Sequence, residues 1–173
     1  VRIYVVRHAE REVPKDIVDA EDGDPDAELT PEGREVASGL GAWMAENEEI
    51  PATIYASPAV RTQETAELIC KAIEEAGFVA PQIKTDVGIG PHQSIRSLVY
   101  KLGAEETNSV AIVSHRETIH NGLQALLVDN EDSAALDPQA MGEMRLLKVK
   151  RKSGRWKEKS RVRPSDFGFP DNY

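Results

Sequence analysis

Apolar positions along the chain follow two rhythms. Val1–Val6, Thr53–Ala56 (TIYA) and Val110–Val113 (VAIV) are short β-rich runs. Val1–Val6 is apolar throughout except for Arg2, as expected of a central strand buried on both faces. Between the runs, apolar residues recur at 3.6-residue spacing: Val36, Ala37, Leu40, Trp43 and Met44, then Ala66, Ile69, Cys70 and Ile73. Ile95, Leu98, Val99 and Leu102, and later Ile119, Leu123, Leu126 and Leu127, repeat the pattern. Punctuation agrees with the spacing. Thr30-Pro31 reads as an N-cap followed by proline at the first helical position, with Glu32 near the positive end of the dipole. Gly77 and Gly103 read as helix ends. Gln82–Thr85 is a further short strand, and Met144–Lys150 with Trp156–Val162 flanks Ser153-Gly154 as a hairpin. The last ten residues, mostly polar or turn-forming, are expected to cover the surface. Strands alternating with helices predict a three-layer α/β/α sandwich with a largely parallel central sheet. At 173 residues, one domain spanning 1–173 is expected.

Charge alters this picture at two places. The formal net charge of -9 disfavours nucleic acid as a partner. Yet Arg145–Arg163 carries ten Lys or Arg and one acid, Glu158, whereas Asp16–Glu28 carries seven acids and no base. The basic stretch, in a C-terminal hairpin of about 144–163, reads as edge strands kept soluble by their charges, with a docking surface for an acidic partner as the alternative. The acidic stretch, in a loop of about 12–29, reads as solvated and lacks the Asp-x-Asp-x-Asp-Gly order of a calcium loop. No apolar run reaches the length of a membrane span, and the start of the chain lacks the pattern of a secretory signal. Cys70 is the single cysteine, which excludes an internal disulfide and a multi-cysteine metal site. Its helical neighbours suggest a buried, inert thiol. A cytoplasmic location is the expectation.

Polar residues cluster where the strands end. The first strand runs into Arg7-His8, the second into Ser57 and then Arg61, the third into Ser114-His115. Open α/β sheets bind ligands beyond the carboxyl ends of their strands, so two arginines and two histidines far apart in sequence are expected on one rim. Guanidinium forks suit non-bridging phosphoryl oxygens. Imidazole attacks when neutral and stabilises anions when protonated.

These segments resemble the histidine phosphatase superfamily, also called phosphoglycerate mutase-like. VVRHAE resembles its Arg-His-Gly motif, and ELTPEGREVA its Leu-Thr-x-x-Gly segment. YASPAVRTQETAELI resembles its Ser-Pro-x-x-Arg-x-x-x-Thr-Ala segment, and VAIVSH its second-histidine strand. The order is the family's, across roughly Val1–Leu127. The short chain, with no large insertion before the second histidine, looks most like SixA-type phosphohistidine phosphatases.

The resemblance implies His8 as nucleophile, with Arg7, Arg61 and an imidazolium at His115 on the three equatorial oxygens. It implies neither metal nor cofactor, and a phosphorylated protein or small phosphorylated molecule as substrate. Ala9 replaces the motif's glycine, which would strain the backbone if positive φ were needed. The family's general acid has three candidates by position, Asp86, Glu117 and, more weakly, Glu10. Without one, the site would favour phosphohistidine, acyl phosphate or aryl phosphate over alkyl phosphates, because those leaving groups depart without a strong acid. Glu117, His120, Asn121 and Gln124 form a polar helical stripe that would line the substrate mouth or face solvent, Gln124 better fitting the latter. His92 and Arg116 are possible rim residues. A small-molecule phosphomonoesterase and a phosphate-docking module with little catalysis are the alternatives to a phosphohistidine phosphatase.

Overall fold

The computed structural model describes residues 1–13, 24–104, 109–127, 137–150 and 155–173. The order of elements is β1 (Arg2–Arg7), α1 (Pro31–Glu46), β2 (Thr53–Ala56), α2 (Val60–Glu75), β3 (Gln82–Thr85), α3 (Arg96–Ala104), β4 (Ser109–Ser114), α4 (Arg116–Leu127), β5 (Met144–Lys150) and β6 (Arg155–Val162). The strands form one sheet in the order β3-β2-β4-β1-β5-β6. β1 pairs in parallel with β4, and β2 with both β3 and β4. β5 is antiparallel to both β1 and β6, so it alone runs against the other strands.

Alternation along β1 divides the core in two. Ile3 and Val5 meet Leu98, Val99 and Leu102 of α3 and Ile119 and Leu123 of α4 on one face. Tyr4 and Val6 meet Leu40 and Met44 of α1 and Ile69 and Ile73 of α2 on the other. Burial on both faces is why the strand reads as continuously apolar. Helices on both sides of a mostly parallel sheet make the expected three-layer sandwich.

Local signals place the helices. Thr30 Oγ1 accepts from Gly33 N–H at 2.9 Å, and Pro31 opens α1. Gly33 has a second constraint: a Cβ there would lie 2.1 Å from the Glu10 carbonyl oxygen, so only glycine lets α1 dock on the segment after His8. Gly77, at φ 93°, follows α2 as expected, but Gly103 lies inside the last turn of α3, which ends at Ala104.

The basic C-terminal stretch departs from its reading. β5 is interior to the sheet, between β1 and β6. Arg145 is 1% exposed and lies beside Glu143 and Glu158 rather than in solvent. Two edge strands cannot be built from this hairpin, because β1 takes up one side of β5. The expected turn at Ser153-Gly154 and residues 14–23 of the acidic loop fall outside the described residues. The final residues do more than cover the surface. Pro164 is buried, Phe167 and Phe169 pack against Gly39 of α1, and Asn172 reaches the loop after β1.

Candidate active site

The carboxyl ends of β1, β2 and β4 meet at one rim, as parallel neighbours must. Arg7, His8, Arg61 and His115 come together there, each 8% exposed or less. The rings of His8 and His115 are 5.6 Å apart.

Backbone hydrogen bonds fix the position of His8. Arg7 N–H donates to the Glu143 carbonyl at 3.1 Å, and His8 N–H to that of Ser114 at 3.1 Å. Ala9 N–H donates to Thr65 Oγ1 at 3.1 Å, and Gly142 N–H reaches the carbonyls of both Arg7 and His8 at 3.1 and 3.2 Å. Ala9 is fully buried against Leu29 and Ala37, and its φ is not positive. Alanine therefore fits here without strain.

Hydrogen-bond direction fixes both tautomers. His8 Nδ1 lies 2.8 Å from the Ala9 carbonyl oxygen, which can only accept. The proton is therefore on Nδ1, and Nε2 keeps its lone pair. At His115, Arg61 Nη2 is 3.1 Å from Nδ1, and a guanidinium can only donate. Nδ1 is then bare, and Nε2–H donates to Ser57 Oγ at 2.7 Å. Ser57 hands its proton to Thr62 Oγ1 at 2.8 Å, and Thr62 donates onward to the carbonyls of Ser57 and Ala59. This one-way chain runs from a cation to carbonyl sinks.

Burial and the neighbouring cations make both imidazoles resist protonation. Burial, followed by Arg61 and Arg7, pushes His8 well below the ordinary histidine range, against the Ala9 carbonyl, which favours the charged ring. Burial, then Arg61 and Arg11, lowers His115 to about 3. The imidazolium expected at His115 belongs to the phosphate-bound site. In the unliganded site its ring is neutral, and Arg7 and Arg61 provide the positive charge.

The arginines are themselves held by carbonyls. Arg61 Nη1 donates to Asp24 O at 3.1 Å, and Arg7 Nη1 to Gln139 O at 2.7 Å. Gln139 in turn donates from Nε2 to Glu143 O at 2.6 Å and Val5 O at 3.1 Å. Sequence reasoning missed Gln139, Thr65 and Arg11. Thr65 lies one turn beyond Arg61 on α2 and accepts from the residue after His8, a spacing that could have marked it. Gln139 enters from the segment that leads into β5, which no local pattern announces.

A cleft of about 910 Å³ opens above this floor, lined by Arg7, His8 and His115 and also by Glu10, Arg11, Arg116, Glu117, His120, Asn121 and Asp137. The remaining candidates separate clearly. Asp86 is not in the cleft. Its Oδ1 accepts from Gly88 N–H at 2.8 Å, capping a 3₁₀ turn at Val87–Ile89. Glu10 lines the cleft, but Thr30 Oγ1 donates to its Oε1 at 3.2 Å and Asn172 Nδ2 to its Oε2 at 3.0 Å. Glu117 lines the cleft and lies 3.0 Å from His92 Nδ1. His92 is thus brought to the rim through Glu117, on a loop where its own φ is 60°. Arg116, His120 and Asn121 line the cleft, while Gln124 is exposed outside it. Cys70 is buried, and its thiol is pushed up to about 11, mainly by burial. Among the described residues no cluster of three or more His, Cys, Asp or Glu is disposed to hold a metal ion, and no helix is long and apolar enough to cross a membrane.

Residues 3–86 match the family model of the histidine phosphatase superfamily (branch 1). No curated protein sequence matches the chain. Among solved structures, SixA from Agrobacterium tumefaciens is 21% identical with a TM-score of 0.73, covering 93% of this chain and 96% of that one. The protein histidine phosphatase SixA complexed with tungstate is 14% identical at a TM-score of 0.77, covering 96% and 99%. A mycobacterial glucosyl-3-phosphoglycerate phosphatase is 18% identical at 0.67, covering 91% and 96%. At such identities the likeness establishes the fold, phosphoglycerate mutase-like.

Proposed function

We propose that this chain, whose residues 3–86 match the histidine phosphatase superfamily, is a phosphatase whose His8 becomes phosphorylated during turnover, with protein phosphohistidine as substrate. One observation carries this reading: the Ala9 carbonyl holds the proton on His8 Nδ1, so a buried, neutral ring offers Nε2 as the nucleophile.

In the first step His8 Nε2 bonds to phosphorus as the bond to the leaving group breaks. Because Nδ1 keeps its proton, the phosphorylated ring is cationic, and the Ala9 carbonyl stabilises that charge. Arg7 and Arg61 lie where they can take the equatorial oxygens and offset charge in a loose transition state. An arriving phosphoryl group offsets the arginine charges that disfavour protonation of His115, so the ring can take up a proton from solvent on Nδ1 and donate it to a phosphoryl oxygen. In the second step water attacks phosphorus, the P–N bond breaks and neutral His8 returns.

The leaving group follows from the carboxylates. Both oxygens of Glu10 accept hydrogen bonds, Glu117 is paired with His92, and Asp86 lies away from the cleft. A leaving imidazole needs less protonation than an alkoxide, and this favours phosphohistidine. The fold similarity to a glucosyl-3-phosphoglycerate phosphatase supports a small phosphomonoester as the second reading.

Mass spectrometry after incubation with a phosphoryl donor tests the chemistry. An acid-labile phosphate on His8 is expected, and a His8→Ala variant should stay folded with activity reduced about 10⁴-fold or more. Near-normal turnover by that variant would sink the mechanism. Rates on phosphohistidine peptides and on sugar phosphates separate the two substrate classes.

A further inference from the structure

The cleft is much larger than a phosphoryl group, and its outer wall is charged. Arg116 directly follows His115 in the chain, so its backbone lies about 3.8 Å from that of a floor residue. It lines the cleft, is exposed, and has no side-chain partner among the described residues. Arg11 also lines the cleft, its backbone paired with Leu29, and His120 lies one helical turn beyond Arg116.

The cleft also holds three carboxylates, and each is engaged elsewhere. Glu10 accepts from Thr30 and Asn172, Glu117 faces His92, and Asp137 lies 3.8 Å from Arg161 Nη1. None of them forms an ion pair with Arg116. A protein of net charge -9 thus keeps an exposed arginine at the mouth of its cleft with no acid paired to it among the described residues.

We infer that Arg116, together with Arg11 and His120, forms a second anion subsite beside the phosphoryl floor, and that it takes a carboxylate of the same substrate. The inference rests on the phosphatase reading for the floor and adds a substrate class: phosphorylated groups with a carboxylate within a few bonds or one neighbouring residue. Guanidinium matches carboxylate bidentately, and an exposed contact of this kind sets preference more than rate.

The test is calorimetric titration of the whole chain with methylphosphonate and with phosphonoacetate, which adds one carboxylate. Wild type should bind phosphonoacetate about fivefold more tightly, a preference that shrinks as salt rises. Arg116→Gln should bring the two ligands near parity, and Arg116→Lys should restore part of the difference. Equal affinities in wild type, or a preference that survives in both Arg116→Gln and Arg11→Gln, overturns the subsite. Methylphosphonate binding without that preference would leave the phosphoryl floor standing. No phosphate on His8 would instead remove the catalytic reading while leaving the binding difference intact. Competition identifies the source of the carboxylate. Displacement of phosphonoacetate by an aspartate-rich peptide at lower concentration than by free aspartate puts it on a polypeptide. The reverse puts it on a small molecule, and either result supports the subsite.

Discussion

Two groups of arginines lie near the segment that enters β5, and they differ in the contacts they make. At the floor, Arg7 donates to the Gln139 carbonyl, and Arg61 donates to the Asp24 carbonyl and to the neutral His115 ring. Behind it, Arg145 and Arg161 surround Glu143, which is fully buried, at 3.6 and 3.4 Å. Glu158 adds a second carboxylate, and Arg163 closes the group at 3.9 Å. The rear group carries its own anions and is complete. The floor's contacts named here are to carbonyls and an imidazole, neutral groups to which a ligand can add its charge. The same residue type therefore serves as structure in one place and is proposed as a binding surface in the other. Burial raises the pKa of Glu143, while the Ala140 N–H and its three arginines act against that rise. The segment that enters β5 belongs to both: Glu143 Oε2 accepts from Ala140 N–H at 2.8 Å, and its carbonyl accepts from Arg7 N–H.

The sharpest way to break this comparison is to remove one cation from the floor. Arg61→Gln should lower turnover by roughly 10²–10³-fold. It should also abolish the rise in melting temperature that inorganic phosphate gives wild type, since a ligand stabilises only what it binds. An Arg61→Gln protein still stabilised by phosphate would mean that the floor is not the anion site.

The opposite change, removing the internal anion, should act on the other quantity. Glu143→Gln leaves buried guanidiniums without their counter-charge and should cost about 3 kcal/mol in denaturant unfolding. Phosphate-dependent stabilisation should persist in whatever fraction remains folded. If unfolding is unchanged, the rear group is not held by its own charge balance.

The smallest effect is on pH dependence. His115 is neutral when folded, with its pKa lowered to about 3, whereas an unfolded histidine takes up a proton near the ordinary 6.5. Its contribution to stability is therefore complete above that value and is lost as pH falls from 6.5 towards 3. Glu143, raised by burial, acts in the other sense, so a paired comparison is needed. His115→Asn should flatten the fall seen in wild type across this window, measured by unfolding at several pH values. Parallel profiles would mean that His115 is not held neutral.

Sequence periodicity captured most of the fold because local causes place those elements: the Thr30-Pro31 start, Gly77 after α2, and β1 buried on both faces. The four floor residues were visible for a related reason, since each sits at or just beyond the end of a parallel strand. What escaped depends on contacts between distant segments. Arg145 and Arg161 look like solvent-facing charges in sequence because Glu143 differs from a surface acid only through the strand that buries it. The neutral state of the unliganded His115 also escaped, because it depends on burial and on Arg61 donating to it across 54 positions. Gln139 was hidden because its role is played by a backbone carbonyl, which side-chain identity does not report.

β1 comes first in the chain, yet it lies between β4 and β5 in the sheet. It is the seam between a parallel half, β3-β2-β4, and an antiparallel hairpin, β5-β6. Its partners are more than a hundred residues away, so this seam closes through long-range pairing of the kind that slows folding. On the proposed function, a phosphoryl group held by Arg7 and His8 at one end of the seam, and by Arg61 from α2 on the parallel side, would act as a clasp across it. Substrate chemistry and the closure of the sheet would then be two readings of one event.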